Sequence, residues 1–510
     1  MRLLCRGERT PSSRNSEVEV SAGRIVTVVD DRAAPRRRCA RTFGLVWTTA
    51  AIGLEASWDI AVTAYLGAQR RSPVATLAWW LVLSLLPLAG APLYLLIGPR
   101  RMQRRRMRYS SSRRRVTEAL PLPGRGAAPS PPPALAALAV GEAPPLEAQV
   151  VLLHTGSACR RSLLEAIGGA RHHAHLEYFI FSDGAFAESL VTALCEAAQR
   201  GVEVRLLVDG LGSRTLSRRL RDRLTNAGAQ VAFFNPVRLR GLRPWYANFR
   251  THRKIVVVDG HVGFTGGMNV DDLHDDELTG PRAWADLHVR LEGEAVAALQ
   301  LVFLEDWCFA TNELVEPAAH AHPGAATAAV SSWVQIVASG PDHTHFAIYK
   351  QWVAAIAGAR RRVWLCTPYF VPDEAMARLL EAKALSGVDV RVLVPERSDH
   401  RFVELAQRTF YPDLLAARGQ VLERPAPMLH AKVLVVDDDF ASVGTFNFDN
   451  RSFRLNFEVT ATLFTPRAVD EVAARLWREL DGAKPVVATD RAPVPHRVAQ
   501  GLARLVAPLL

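Results

Sequence analysis

One pattern occurs twice in this 510-residue chain and restricts its fold more than any other feature. His252-Arg-Lys254 is followed by four aliphatic residues, Asp259, six further residues and Gly266-Gly-Met-Asn269. His430-Ala-Lys432 is followed in the same way by four aliphatics, Asp437, six residues and Gly444-Thr-Phe-Asn447, so both read H-x-K-x4-D-x6-G-x-x-N. Residues two apart on a strand share a face, so each His and Lys project together while the aliphatic run anchors the strand in a core. The Gly-x-x-Asn turn permits close backbone approach and offers an amide to an anion. Asp259 and Asp437 complete the catalytic motifs. Their odd offset from the lysines turns them off that face and assigns them to fixing the motif's architecture.

The repetition extends around the motifs. Gly201-Val-Glu-Val-Arg-Leu-Leu-Val208 is echoed by Gly387-Val-Asp-Val-Arg-Val-Leu-Val394, and Glu177-Tyr-Phe-Ile-Phe181 by Cys366-Thr-Pro-Tyr-Phe370. Strand, helical segment, strand and His-x-Lys strand follow in the same order in both halves, which predicts α/β layers with helices over a mixed sheet. Two tandem copies of one domain are expected, over 147–325 and 326–484. A tail over 485–510 closes the chain, with a short amphipathic helix from Val498 to Leu510.

The N-terminal part has a different character. Pro73 to Ile97 is 25 residues without a charge, enough to cross a hydrocarbon core. Phe43 to Leu66 is apolar but contains Glu55 and Asp59, each costly at mid-membrane. Nine Arg between Arg100 and Arg115 place the downstream chain in the cytoplasm, and Arg36, Arg37, Arg38 and Arg41 fall on the same side if both stretches span. The expected order is therefore a basic cytoplasmic tail over 1–42, a two-helix transmembrane hairpin over 43–98, and an Arg-rich then Pro/Ala-rich linker over 99–146. Charge supports the division. Residues 1–116 hold 21 Arg and 7 acidic residues, a net 21 − 7 = +14, which leaves 11 − 14 = −3 for the rest. The six cysteines are scattered without metal-ligand spacing and read as free thiols in a reducing compartment.

Two such motifs suit a phosphodiester. In-line displacement at phosphorus without a metal needs a nucleophile on one side and an acid on the other, with cations and amides to hold the oxygens. One imidazole attacks to give a phosphohistidine; the other protonates the leaving alkoxide and then deprotonates the acceptor. Lys254, Lys432, Asn269 and Asn447 are the candidates for gripping phosphate. Each imidazole also needs a carboxylate on its other nitrogen. Asp286 in Trp284-Ala-Asp-Leu-His288 and Glu458 in Asn456-Phe-Glu-Val459 are the candidates, at similar distances after their motifs.

The paired motifs resemble the HKD signature of the phospholipase D superfamily. More narrowly, Asn248-Phe-Arg-Thr-His-Arg-Lys254, Thr367-Pro-Tyr-Phe-Val-Pro-Asp-Glu374 and Asn447-Phe-Asp-Asn-Arg-Ser-Phe453 resemble the bacterial cardiolipin synthases, as does the two-span N-terminus. The resemblance implies two phospholipase D-like α/β/α sandwiches, no cofactor, His252 as nucleophile and His430 as acid/base. It implies an inner-membrane enzyme with cytoplasmic catalytic domains that acts on phosphatidylglycerol at an anionic membrane surface. The product would be cardiolipin, with glycerol released. Gly267 departs from the pattern, since many relatives carry Ser there; the expectation is one hydroxyl fewer near the phosphate, with Thr445 retained in the second motif.

Three alternatives use the same residues differently. A hydrolytic phospholipase D would release phosphatidic acid. A nucleic-acid phosphodiesterase is disfavoured by the net-negative body, because backbone binding needs a basic groove. A non-catalytic membrane protein would tolerate degenerate motifs, and both are intact. Two clusters carry no chemistry in this reading: His172-His-Ala-His175 is expected as a solvated turn or helix end rather than a metal site, and Asp271 to Glu277 as an acidic loop beside the site.

Overall fold

Among the described residues, fifteen strands make one continuous mixed sheet in the body of the chain, and its order shows the duplication directly. The computed structural model describes residues 34–68, 73–97, 109–116, 144–236, 249–316, 320, 332–341, 346–487 and 494–506. The basic tail before residue 34 and the Pro/Ala-rich linker over 118–143 lie outside them.

In the first half the strands are β1 (Leu146–Leu153), β2 (His173–Tyr178), β3 (Glu203–Asp209), β4 (Gln230–Phe234), β5 (Ile255–Val258), β6 (Val262–Gly266) and β7 (His288–Gly293). The second half has β8 (Ser332–Ser339), β9 (Arg362–Cys366), β10 (Phe370–Val371), β11 (Asp389–Pro395), β12 (Gln420–Arg424), β13 (Val433–Val436), β14 (Phe440–Gly444), β15 (Phe448–Asp449), β16 (Glu458–Leu463) and β17 (Lys484–Pro485). The order outward from the centre is β1-β7-β6-β5-β2-β3-β4 on one side and β8-β16-β14-β13-β9-β11-β12-β17 on the other. The halves join where β1 and β8 pair antiparallel, with Leu146 opposite Val334 and Ala148 opposite Ser332. The expected tandem repeats are thus fused through a shared sheet.

Burial explains the composition of the motif strands. Ile255–Val258 and Val433–Val436 are buried throughout, as continuous aliphatic runs in a covered sheet require. On one face each half keeps its own core, under Gly156–Gly168, Ala185–Gln199 and Arg218–Asn226 in the first and Ala347–Gly358 and Glu374–Leu385 in the second. On the other face a single core runs across both halves beneath Ala295–Thr311 and Pro466–Asp481. Helix Ala295–Thr311 is apolar on nearly all sides because it is buried on nearly all sides. Truncating its Phe303 or Trp307 to Ala would cost about 3–5 kcal/mol.

The N-terminal unit, residues 1–95, is separate from the unit over 96–510. Ala34–Gly67 forms one helix, whereas Pro73 to Ile97 divides into Pro73–Leu85 and Pro87–Ile97. Pro87 has no N–H and disfavours helical geometry at Leu86, which accounts for the break. A Cβ on Gly90 would stand 2.5 Å from the Val82 carbonyl oxygen, so the bend needs glycine there. Among the described residues no helix is both long and apolar enough to cross a membrane. Trp58 Nε1 donates to the Leu83 carbonyl and Trp80 Nε1 to Thr63 Oγ1, each at 2.8 Å, tying the first helix to the second.

The C-terminal helix runs over Val494–Val506, four residues earlier than the sequence placed its start, and packs on Arg401–Gln407 through Ala503. Arg504 is exposed, with its guanidinium 5.0 Å over the Phe410 ring. Residues 507–510 lie outside the description.

Candidate active site

Each motif leaves its own half before it enters its strand. The His252 amide donates to the Phe457 carbonyl at 2.8 Å, and Phe457 N to the Arg250 carbonyl at 3.0 Å. The second half mirrors this: His430 N donates to the Ala285 carbonyl at 2.7 Å and Ala285 N to the Met428 carbonyl at 2.8 Å. These short parallel bridges set each histidine beside the residue that follows its backbone partner in the other half, Glu458 for His252 and Asp286 for His430.

The carboxylates are accordingly crossed. His252 Nδ1 lies 2.9 Å from Glu458 Oε2 and 3.0 Å from the Thr445 carbonyl; both are acceptors, so Nδ1 carries the proton and Nε2 keeps its lone pair. His430 Nδ1 lies 2.7 Å from Asp286 Oδ2. Glu458 also accepts from Thr445 Oγ1, from Ser452 Oγ at 2.7 Å and from Asn456 Nδ2 at 3.2 Å. Although burial opposes ionisation, His252 and Thr445 at its oxygens and the nearby Lys254 hold the Glu458 carboxyl below its usual range.

The electrostatics of the site are dominated by two buried lysines. Lys254 and Lys432 are fully buried, and each ammonium donates to the carbonyl of the histidine two residues before it, Lys254 at 2.8 Å. Burial, then repulsion from Lys432, lowers Lys254 to about 7; burial lowers Lys432 to about 8, against the pull of Asp286 and Glu458. Burial lowers His252 to about 4, with Lys254 adding to the effect and Glu458 opposing it. His430 is pushed well below its usual value by burial and by Lys432, Lys254 and His252. Every one of these shifts would relax if negative charge entered between the lysines.

Asn269 Oδ1 accepts from the Ile180 amide at 3.2 Å, which leaves its Nδ2 as the end available to an anion. Asn447 is buried beside the site, its backbone N donating to Ser452 Oγ at 3.2 Å. Asp259 and Asp437 lie at the far ends of their strands. Asp259 accepts from the amides of Arg171, His172 and His173 at 2.7–2.8 Å, and Asp437 from those of Arg360, Arg361 and Arg362 at 2.8–3.0 Å. Both have left-handed φ, 52° and 49°. This placement matches the architectural role that their odd offset assigns them: each carboxylate binds three consecutive backbone amides.

Gly267 also needs correction. A Cβ there would stand 2.0 Å from Asp286 Oδ1, so the volume a side chain would fill already holds the carboxylate. The matching Thr445 hydroxyl donates to Glu458, not toward a phosphate. The two halves solve one packing problem differently, with Gly and Asp in one and Thr and Glu in the other.

Sequence reasoning missed His274. It is 2% exposed, its Nδ1 lies 3.6 Å from Asp286 Oδ2, and its ring centroid is 5.3 Å from that of His430. The acids around it do structural work: Asp272 caps helix Ala185–Gln199, and Asp275 and Glu277 pair with Arg160. The acidic composition concealed the imidazole among them. His173 and His175 are likewise not in a solvated turn. Both lie buried in β2, where His175 Nε2 is 3.1 Å and His320 Nε2 2.8 Å from Glu203 Oε1, a carboxylate already paired with Arg205.

Comparison with known proteins agrees with this architecture. The family model "Cardiolipin synthase, PLD-like domain" matches residues 163–274 and 352–480, and "Phospholipase_D-nuclease N-terminal" matches 56–99. The chain is 37% identical over 460 residues to a cardiolipin synthase of Geobacillus thermodenitrificans, covering 87% of this chain and 90% of that one. It is 34% identical over 488 residues to cardiolipin synthase 1 of Bacillus anthracis, covering 92% and 94%. Among solved structures, phosphatidylserine synthase of Haemophilus influenzae shares the fold, with a TM-score of 0.55 at 14% identity over 71% of this chain and 95% of that one. With both motifs intact around one site, the chain belongs to the cardiolipin synthase family of phospholipase D-like proteins.

Proposed function

We propose that this chain is a phosphatidyltransferase that makes cardiolipin and glycerol from two phosphatidylglycerol molecules. The crossed His252–Glu458 and His430–Asp286 pairs carry this reading, because they equip two imidazoles for one phosphorus atom. His252 Nε2, with its lone pair free, attacks phosphorus. The bond to the glycerol oxygen breaks, and His430 gives that oxygen its proton. The glycerol hydroxyl of a second phosphatidylglycerol then loses its proton to His430 and attacks; the P–N bond breaks and cardiolipin leaves. Lys254, Lys432, Asn269 and Asn447 hold the non-bridging oxygens. In the free site His430 is neutral. Burial, then the charges of Lys432 and Lys254, keep its proton off; an anionic phosphodiester between the lysines offsets those charges and raises its proton affinity, so substrate binding favours the acid form.

Anchorage fits the same reading. Trp47, Leu54 and Leu88 are 64%, 75% and 92% exposed on the N-terminal helices, an apolar surface that water-facing proteins seldom present. In this proposal those helices lie in the bacterial cytoplasmic membrane, with Pro87 tolerated inside the second span and the body in the cytoplasm. Confining donor and acceptor to the bilayer raises their effective concentration, which lets an alcohol compete with water.

The test uses purified full-length protein and phosphatidylglycerol vesicles. Cardiolipin and glycerol are expected in equal amounts, and neither from His430→Ala. Phosphatidic acid without cardiolipin would overturn the transfer reaction in favour of hydrolysis.

A further inference from the structure

Tyr109 lies in the helical segment 109–116, which follows the N-terminal helices in sequence and sits among the arginines read as a topology signal. The phenol is far from a linker residue in its surroundings. Tyr109 is 1% exposed, as is Val116 at the other end of the segment, and both belong to the core that runs across the two halves. Its ring centroid is 4.7 Å from that of Phe457 and 5.0 Å from that of Phe309. Its hydroxyl donates to the Asp306 carboxylate and accepts from Arg253 Nη1 at 2.9 Å.

Those partners are the immediate neighbours of the reaction centre. Arg253 directly follows His252, and Phe457 directly precedes Glu458. Arg253 is fully buried; Nη1 reaches Asp306 Oδ2 at 2.5 Å, Nε donates to the Glu458 carbonyl at 3.1 Å, and its guanidinium lies 5.6 Å over the Phe457 ring. A guanidinium out of water needs each of these partners, so the position of Arg253 depends on the hydroxyl and carboxylate that hold it. The second motif has Ala431 where the first has Arg253, so this brace serves His252 and has no counterpart at His430.

We infer that segment 109–116 is a positioning element of the reaction centre, with Tyr109 acting through Arg253 and Phe457 to hold the His252–Glu458 pair in register. The site would then be completed by a residue from outside the two repeats, on the stretch that joins them to the N-terminal helices. The inference rests on the proposed reaction at His252.

A double-mutant cycle tests it in the full chain, with cardiolipin formation from phosphatidylglycerol vesicles as readout. Tyr109→Phe keeps the ring and removes only the hydroxyl. It is expected to lower kcat about ten-fold with KM within about two-fold in the native background, and to cost less than about two-fold once Glu458→Gln has already disrupted the pair. Melting curves on all four proteins should show the same stability change from Tyr109→Phe in both backgrounds. An equal fold-loss of kcat in both backgrounds, or no loss in the native one, overturns the inference. Cardiolipin formation by the unmodified chain in the same assay separates that outcome from failure of the proposed reaction.

Discussion

Glu458 Oε2 lies 2.9 Å from His252 Nδ1 across 206 residues of sequence, each half of the repeat lending its carboxylate to the other half's histidine. Neither motif histidine takes its carboxylate from its own half. A single domain of this kind would therefore need a second copy to work, and the fused sheet supplies it within one chain. Glu458→Gln presents an amide N–H to a nitrogen that must itself donate, which favours the wrong tautomer. The expected loss in kcat is on the order of 10²-fold or more with KM little changed. Steady-state glycerol release checks it.

The Gly267–Asp286 contact predicts an unusual outcome. Gly267→Ser brings the first motif closer to the common pattern, yet its Cβ displaces a carboxylate oxygen 2.0 Å away. Activity should fall at least about ten-fold through the loss of orientation at His430. The double variant Gly267→Thr with Asp286→Glu rebuilds the Thr445–Glu458 arrangement and should recover part of that loss, measured as kcat for cardiolipin formation.

Phosphate binding should take up protons. Lys254 at about 7 and Lys432 at about 8 are raised when an anion enters between them. At pH 8 the free lysines are largely neutral or half-charged, so binding draws protons from solution; at pH 5.5 they are already charged and contribute none. Calorimetry of inorganic phosphate binding in buffers of different ionisation enthalpy, corrected for phosphate's own protonation, should show uptake at pH 8 that falls toward pH 5.5 to the part taken by the imidazoles.

Asp259 and Asp437 should behave as stability residues. Burial raises their pKa, but the three backbone amides at each outweigh it and hold both carboxyls below the usual value. A depressed folded-state pKa stabilises above the unfolded value, near 4, and the contribution disappears as pH falls through the folded one. Asp437→Ala, which also puts alanine at a left-handed φ, should lower the melting temperature by a few degrees at pH 7 and by less at pH 3. Activity per folded molecule should stay close to that of the native chain.

What the sequence revealed and what it hid divide along physical lines. The motif strands and the helix-over-sheet layering were readable because they depend on period and spacing within a few residues, and Asp286 and Glu458 were candidates because they recur at similar distances after the two motifs. The crossing of the carboxylates was not, since it arises from backbone bridges between Thr251 and Phe457 and between Ala285 and Leu429. His173 and His175 looked solvated because the groups that let them be buried, Gln300 and Glu203, lie far away in sequence. His274 was hidden by acids that turn out to cap helices or pair with Arg160. Tyr109 was hidden by the arginines around it.

The central claim is that His252 and His430 serve one phosphorus atom, with His252 as the attacking group. Alkaline quenching during turnover of a short-chain phosphatidylglycerol, followed by peptide mass spectrometry, reads it directly. The account predicts a single phosphatidyl adduct per chain, on the peptide carrying His252, and none in His252→Ala. Adducts on both histidines, or on His430 alone, would contradict it.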